Sequence, residues 1–197
     1  MRRALIVAAL LAMPVWAAPP AQLPVCGSCH GMQGQGIEPV GPRLAGLSAD
    51  YIAGQLALFK SGARKNATMT PMAALLPTDK DVQAMAQYFA SQPAPPVSKL
   101  HYRGEQVVYS DPAEKLAYQG DWSRNIPACV ACHGPSGVGG GPIPRLAGQQ
   151  QAYLETQLQA WRNGTRSGDQ DAIMTQVAKK LTDAEIKAMA HYFAGIK

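Results

Sequence analysis

The sequence predicts an all-α protein made of two tandem copies of one domain. Three observations support this prediction. An ordered set of short motifs occurs twice, at an offset of 102 to 105 residues. Apolar residues recur at three- and four-residue spacing in several segments, whereas the alternation typical of strands is weak throughout. A proline-rich segment, which cannot continue a helix, separates the two copies.

The two copies share the same features in the same order, which indicates two homologous domains. The matched pairs are Cys26-Gly-Ser-Cys29-His30 and Cys129-Val-Ala-Cys132-His133, Pro42-Arg-Leu-Ala-Gly46 and Pro144-Arg-Leu-Ala-Gly148, Tyr51 and Tyr153, Phe59 and Trp161, Met69-Thr70 and Met174-Thr175, and Tyr88-Phe89-Ala90 and Tyr192-Phe193-Ala194. We place domain one at 18–92, a Pro-rich linker at 93–96 and domain two at 97–197.

Capping signals locate the helices within each domain. Ser48 is a good N-cap for a helix running to about Ser61, with Gly62 as its stop, and the stretch from Gln149 to Trp161 repeats this segment. The last helix of each domain should begin in a capping box, Thr78 to Asp81 in domain one and Thr182 to Glu185 in domain two. The stretches 31–42 and 134–144 are rich in glycine and proline and are predicted loops.

The first 17 residues are typical of a signal peptide. Arg2 and Arg3 precede an apolar stretch, and Val15-Trp16-Ala17 resembles a small-residue cleavage site, so the mature chain would begin near Ala18. A retained membrane anchor is less favoured, because the apolar run is too short to span a bilayer. Export predicts a periplasmic location in an oxidising compartment, and contact with a membrane surface is compatible with it.

Net charge gives little support for nucleic-acid binding. Removing Arg2 and Arg3, and no acidic residue, lowers the formal charge from +5 to +3. Four ionised propionates from two haems would bring the holoprotein to about −1, and the chain has no run of lysine and arginine.

Cys-x-x-Cys-His is the attachment motif of c-type haem. The two thiols add to the haem vinyl groups as thioethers, and the adjacent histidine becomes an axial iron ligand. A thioredoxin-like dithiol needs a βαβ context, a zinc site would need the two motifs to meet, and a structural disulfide leaves the histidines unexplained. All four cysteines lie in the motifs, which predicts two covalently bound haem c groups at Cys26, Cys29, Cys129 and Cys132.

The repeat also selects the second axial ligands. Met69 lies 39 residues after His30, and Met174 lies 41 residues after His133. Met72 is the rival in domain one, but its counterpart Val177 cannot bind iron. We therefore expect axial pairs of His30 with Met69 and His133 with Met174. His/Met ligation raises the reduction potential and closes the iron to exogenous ligands, which suits electron transfer.

Several residues are candidates for supporting roles around the haems. A metal-bound histidine usually donates its other ring N–H to an acceptor, and the carbonyls of Pro42 and Pro144 are placed for this, with an ordinary loop proline as the alternative. Arg43 and Arg145 could pair with propionates or be exposed. Four aromatic residues should pack in the haem crevices: Tyr51, Tyr153, Phe59 and Trp161. His101 and His191 are not repeated and receive no role.

These motifs, twice over, resemble the cytochrome c4 family of periplasmic di-haem electron carriers. The resemblance implies two class I cytochrome c domains, each wrapped round one covalent haem and related by a pseudo-twofold axis. It also implies the thioether and axial ligands named above, and it strengthens the candidacy of Pro42 and Pro144. One departure is the short approach to Cys26, where members usually carry a helix. The longer segment 101–127 before the second motif could hold two short helices.

The expected function is electron transfer rather than catalysis. The first hypothesis is a carrier between a periplasmic or membrane donor and a terminal oxidase. The alternative is an electron-acceptor subunit of a periplasmic dehydrogenase, for example one that oxidises sulfide or thiosulfate. An enzyme is disfavoured, because a peroxidase needs an accessible iron and a His/Cys-ligated thiosulfate dehydrogenase needs a spare cysteine.

Overall fold

The structure is a computed structural model that describes residues 19–197, so the predicted signal peptide lies outside the described residues. Within that range the regular structure is helical, with isolated β-bridges. The α-helices are α1 (Leu23–His30), α2 (Ala49–Ser61), α3 (Met69–Ala74), α4 (Asp79–Ala90), α5 (Pro112–Tyr118), α6 (Val130–His133), α7 (Gln151–Asn163), α8 (Ile173–Lys180) and α9 (Asp183–Gly195). Three 3₁₀ turns lie at Trp122–Arg124, Pro135–Gly137 and Gln170–Ala172.

The longer helices begin and end largely where their capping residues predict. Ser48 Oγ accepts the Tyr51 N–H at 3.1 Å, and Gly62 ends α2 in the left-handed conformation with φ of 76°. The last helix of each domain opens on the predicted capping box, at Thr78 in α4 and Thr182 in α9. Helix α7 begins two residues later than predicted, because Gln149 lies in the turn before it and binds the other domain.

Two separate hydrophobic cores confirm the prediction of two domains. Helix α2 packs on α4 in domain one, and α7 packs on α8 and α9 in domain two. The core of domain one includes Leu56, Phe59, Leu76, Val82, Met85 and Phe89. The core of domain two includes Leu116, Tyr118, Leu154, Ile186, Met189 and Phe193. The apolar faces predicted for α4 and α9 are therefore the faces that are buried.

The two domains meet around an approximate twofold axis. Arg64 and Arg166 lie opposite each other in an isolated antiparallel β-bridge. Its two backbone hydrogen bonds run from Lys65 N to Thr165 O at 2.9 Å and from Ser167 N to Ala63 O at 2.8 Å. Because each arginine faces its own counterpart in the repeat, the bridge lies on a pseudo-twofold axis of the kind that the resemblance to cytochrome c4 implies.

Candidate haem sites

Both Cys-x-x-Cys-His motifs lie on short helices. Cys26, Cys29 and His30 form the last turns of α1, and His133 ends α6. Both histidines are buried, with 7 % of their surface exposed. Burial raises the pKa of the Cys26 thiol and raises that of Cys129 to about 12. A thioredoxin-like dithiol depends instead on a lowered thiol pKa, so the structure disfavours that alternative.

Each motif histidine donates its Nδ1–H to a proline carbonyl. The Nδ1 to O distance is 2.8 Å for His30 and Pro42 and also 2.8 Å for His133 and Pro144. A carbonyl can only accept, so the proton is on Nδ1 and the Nε2 lone pair is free to bind iron. Burial lowers the pKa of both histidines, an effect that their proline acceptors oppose, and this favours the neutral ring that a metal requires.

A glycine holds each proline-containing loop against its histidine. Gly36 N–H donates to His30 O at 2.8 Å, and Gly139 N–H donates to His133 O at 2.7 Å. Both glycines have φ near +78°, a conformation that other residues rarely adopt. A Cβ on Gly36 would also lie 2.8 Å from Arg43 N. The loop therefore passes too close for a side chain, and this close approach brings the proline carbonyl to the histidine.

The two candidate axial methionines lie at the start of short helices that the sequence did not predict. Met69 is the first residue of α3, and Met174 is the second residue of α8. Asn66 Oδ1 accepts the Met69 N–H at 2.8 Å, and Asp169 Oδ2 accepts the Met174 N–H at 2.6 Å. Both methionines are half-buried, and Met69 packs against the core of domain one. Met72, one turn later in α3, is also half-buried, so the choice of Met69 stays a prediction.

Arg43 and Arg145 bind backbone carbonyls near the domain interface. Arg43 Nε donates to Gly148 O at 3.1 Å, and Arg145 Nη2 donates to Pro95 O at 2.7 Å. Burial lowers the pKa of Arg145, and the nearby charge of Arg43 lowers it further. Two cations held this close together suit an anion, although their pairing with propionates stays a prediction.

Sequence reasoning missed a second arginine pair, Arg64 and Arg166, which is more deeply buried. Their exposed fractions are 7 % and 6 %, and each guanidinium lies over an aromatic ring of its own domain. The distance to the ring centroid is 4.5 Å for Arg64 over Phe59 and 4.4 Å for Arg166 over Trp161. Buried arginines are rare unless paired, so the interface has to supply partners for both guanidiniums.

Each of these arginines also binds a tyrosine of the other domain. Arg64 Nη2 donates to Tyr153 Oη at 2.8 Å, and Arg166 Nη2 donates to Tyr51 Oη at 2.9 Å. Gln55 and Gln157 accept further hydrogen bonds from both guanidiniums. The tyrosines, predicted only to pack, therefore also hold the domains together. The sequence does contain a signal for this network, because Gln55 and Arg64 recur at a single offset as Gln157 and Arg166.

The arginine pair fits the carboxylates of haem. None of the ion pairs found among residues 19–197 involves Arg64 or Arg166. In the same range Arg166 Nε is buried without a hydrogen-bond partner. Two buried cations and an unsatisfied donor suit an anionic group nearby. With the paired thiols and the neutral histidines, the residues present fit covalent haem c.

Comparison with known proteins identifies the class. The family model for cytochrome c matches residues 23–93 and 112–197. The reduced cytochrome c4 of Pseudomonas stutzeri superposes with a TM-score of 0.77 at 35 % identity, over 91 % of this chain and 97 % of that one. The chain therefore belongs to the cytochrome c family and, within it, to the cytochrome c4 group.

Two further similarities involve thiosulfate dehydrogenase. The thiosulfate dehydrogenase electron acceptor of Stutzerimonas stutzeri is 44 % identical, over 87 % of this chain and 78 % of that protein. The solved thiosulfate dehydrogenase of Marichromatium purpuratum superposes with a TM-score of 0.76 at 42 % identity. This chain covers 87 % of its own length but 36 % of that larger chain.

These findings confirm the all-α tandem fold, the resemblance to cytochrome c4 and the electron-transfer function. The relatives matched over most of their own length are cytochrome c4 proteins and electron acceptors of thiosulfate dehydrogenase rather than enzymes themselves. The family and the two motifs support covalent haem c as the cofactor. Among residues 19–197, no helix is long and apolar enough to cross a membrane.

Proposed function

We propose that this chain is a periplasmic di-haem protein that accepts single electrons from a thiosulfate dehydrogenase and passes them toward a terminal oxidase. The duplicated contact between a buried motif histidine and a proline carbonyl is the observation that carries the di-haem part, because it prepares a neutral Nε2 ligand in each domain. The proposed domains span 18–92 and 97–197, after export directed by residues 1–17.

The residues of each domain have distinct roles in this proposal. Cys26 and Cys29, and likewise Cys129 and Cys132, form thioethers. His30 and His133 would each bind one haem iron through Nε2, and Met69 and Met174 would each bind it through sulfur. When bound, haem c supplies one-electron chemistry between Fe(III) and Fe(II). Asn66 and Asp169 fix the backbone at the methionines, and the arginines near the interface balance carboxylate charge.

The proposal of a dehydrogenase partner rests on the 44 % identical relative, whose name specifies the role of electron acceptor. A second candidate is a free carrier with no fixed partner. The match to the solved cytochrome c4 favours this candidate, because this chain covers 97 % of the cytochrome c4 chain. The two candidates share their chemistry and differ in the partner.

Reduction by a partner enzyme tests the proposal. The holoprotein is mixed with a purified thiosulfate dehydrogenase, and its haem absorption is followed after addition of thiosulfate. We expect reduction that requires both the enzyme and thiosulfate and that saturates with carrier concentration. A mono-haem cytochrome c of similar potential is the control. If both carriers are reduced at the same rate, the specific partner is wrong and the free-carrier candidate is favoured.

A further inference from the structure

Two glutamines of domain two hold the segment of domain one that carries the His30 acceptor. Gln149 Oε1 accepts the Arg43 N–H at 3.0 Å, and Gln149 Nε2 donates to Arg43 O at 2.9 Å. Gln150 Nε2 donates to Gly41 O at 3.0 Å. Gln149 is buried, with 6 % of its surface exposed. The residues on both sides of Pro42 are therefore fixed by side chains of the other domain.

Because the peptide unit is planar, fixing the Arg43 N–H also fixes the direction of the Pro42 carbonyl that His30 contacts. The Pro42 carbonyl and the Arg43 N–H belong to one planar peptide group, and in the trans form they point in opposite directions. An N–H held by Gln149 therefore aims the Pro42 oxygen away from domain two, toward His30 Nδ1 at 2.8 Å. Proline has no N–H of its own, so the preceding peptide is held at Gly41 O, which accepts from Gln150 Nε2 of domain two and from Ile37 N of domain one.

Domain two lacks the reciprocal arrangement. In the repeat, Leu47 and Ser48 occupy the positions of Gln149 and Gln150. The Leu47 side chain has no polar group and lies in the core of domain one. Ser48 Oγ donates to Gly141 O, three residues before Pro144. Among residues 19–197, no side chain of domain one hydrogen-bonds to the backbone of Arg145, so the peptide that carries the His133 acceptor lacks the interdomain contact that Gln149 makes with Arg43.

We propose that Gln149 is a positioning residue for His30, so that the docking of domain two tunes the iron ligand of domain one but not the reverse. This inference rests on the proposed haem ligation. A hydrogen bond from Nδ1–H to an acceptor strengthens the histidine as a ligand. A stronger histidine ligand favours Fe(III). The hydrogen bonds from Gln149 to Arg43 therefore lower the reduction potential of the domain-one haem.

Gln149→Leu tests the inference in the full-length holoprotein, because it installs the residue that domain one has at the matching position. We expect a shift toward Fe(II) at the domain-one haem of up to about tenfold, or 59 mV for a one-electron couple. The potential of the other haem should not change. Met174→Ala, which alters only the domain-two haem, assigns the two potentials. Proton NMR of the reduced protein should show faster solvent exchange of the His30 Nδ1–H and unchanged exchange at His133.

Two further variants separate positioning from a general loosening of the interface. Gln150→Ala removes the interdomain hydrogen bond to Gly41 O and should produce a smaller shift in the same direction, because the Ile37 N–H still holds that carbonyl. This variant keeps the test available if Gln149→Leu does not fold. Ser167→Ala removes a different interdomain hydrogen bond, to Ala63 O at 2.9 Å, and should leave both potentials unchanged.

Equal shifts at both haems, no shift at the domain-one haem, or the same shift in Ser167→Ala would overturn the inference. Failure of the proposed ligation is distinguishable from these results, because the unsubstituted protein itself would then lack methionine-ligated haem.

Discussion

The two domains differ most in the chain that leads to the haem motif. In domain one, α1 begins at Leu23, and among residues 19–197 no helix precedes it. In domain two, α5 and a 3₁₀ turn precede the motif, and Tyr118 of α5 is stacked on Tyr109 with ring centroids 5.7 Å apart. Val25 of domain one is 46 % exposed, whereas its counterpart Ala128 is 1 % exposed.

The last helix of each domain shows the consequence of this difference. Tyr192 of α9 packs edge-to-face on Tyr118, with ring centroids 6.4 Å apart. Within residues 19–197, the ring contact of its counterpart Tyr88 is with the neighbouring Phe89, and Tyr88 donates its hydroxyl to Met32 O at 3.0 Å. By contrast, three sets of contacts are duplicated: those from each motif histidine to its proline carbonyl, those from Gly36 and Gly139 to the histidine carbonyls, and those of the arginine pair. The two domains therefore share the contacts at their centres and differ in the contacts around the segment that leads to the motif.

The largest effect should follow from removing the aromatic ring that only domain two has. Tyr118 is fully buried, and truncation of a buried aromatic residue to alanine costs about 4 kcal/mol. We expect Tyr118→Ala to lower the unfolding free energy of domain two by about this amount and to leave domain one unchanged. Denaturant unfolding, monitored through each haem, measures it. Tyr118→Phe is the control, since it keeps the ring; equal stability of the two variants would contradict the account.

An intermediate effect on stability and reduction potential is expected at Arg64 and Arg166, and the substitution of either arginine should have a similar effect. Arg64→Gln and Arg166→Gln each remove charged hydrogen bonds to the other domain, at a cost of about 2 kcal/mol. Loss of a buried positive charge also favours Fe(III), so the potential of the nearby haem should fall by about 59 mV, a tenfold change.

Calorimetry and redox titration measure both effects of the arginine substitutions. Arg162→Gln serves as the control because its guanidinium pairs with the exposed Asp183 of its own domain. Strongly unequal effects of the Arg64 and Arg166 substitutions would show that the interface is not reciprocal.

The smallest effect concerns acid stability. Hydrogen bonding to Arg124 lowers the pKa of Glu185 to about 2, below its usual value near 4.3 in an unfolded chain. The ionised carboxylate therefore stabilises domain two above about pH 4.3, and this stability is lost as the pH falls toward 2. The pair is partly exposed, so the change is small. In Arg124→Leu, the unfolding free energy of domain two should change less with pH between about 4.3 and 2, as measured by denaturant unfolding.

Domain one supplies the comparison for this acid effect. Asp81 occupies the position of Glu185, and hydrogen bonds from Thr78 lower its pKa. Arg124→Leu should leave the acid unfolding of domain one unchanged. An equal change in both domains would mean that the ion pair does not act locally.

The parts predicted well from sequence are those set by local signals. The capping boxes at Thr78 and Thr182 and the stop at Gly62 each depend on residues a few positions apart, and the structure has them where expected. The histidine-to-proline contact spans a short loop, so the repeat was enough to suggest it.

The parts that were missed depend on contacts distant in sequence. Helices α3 and α8 are short, and the side chains of Asn66 and Asp169 support their first turns. Gln149 was placed in a helix because the repeat suggested one, but its amide binds Arg43 in the other domain. Arg64 was passed over because an arginine is ordinarily exposed, and only the docked domains show its burial.

The most direct test of the central claim is a redox titration of the holoprotein that follows the far-red absorption band of methionine-ligated Fe(III) haem. The account predicts two one-electron steps and a band that Met69→Ala and Met174→Ala each halve, while Met72→Ala leaves it intact. A band from a single haem, or a band that survives Met69→Ala and is halved by Met72→Ala, would contradict it.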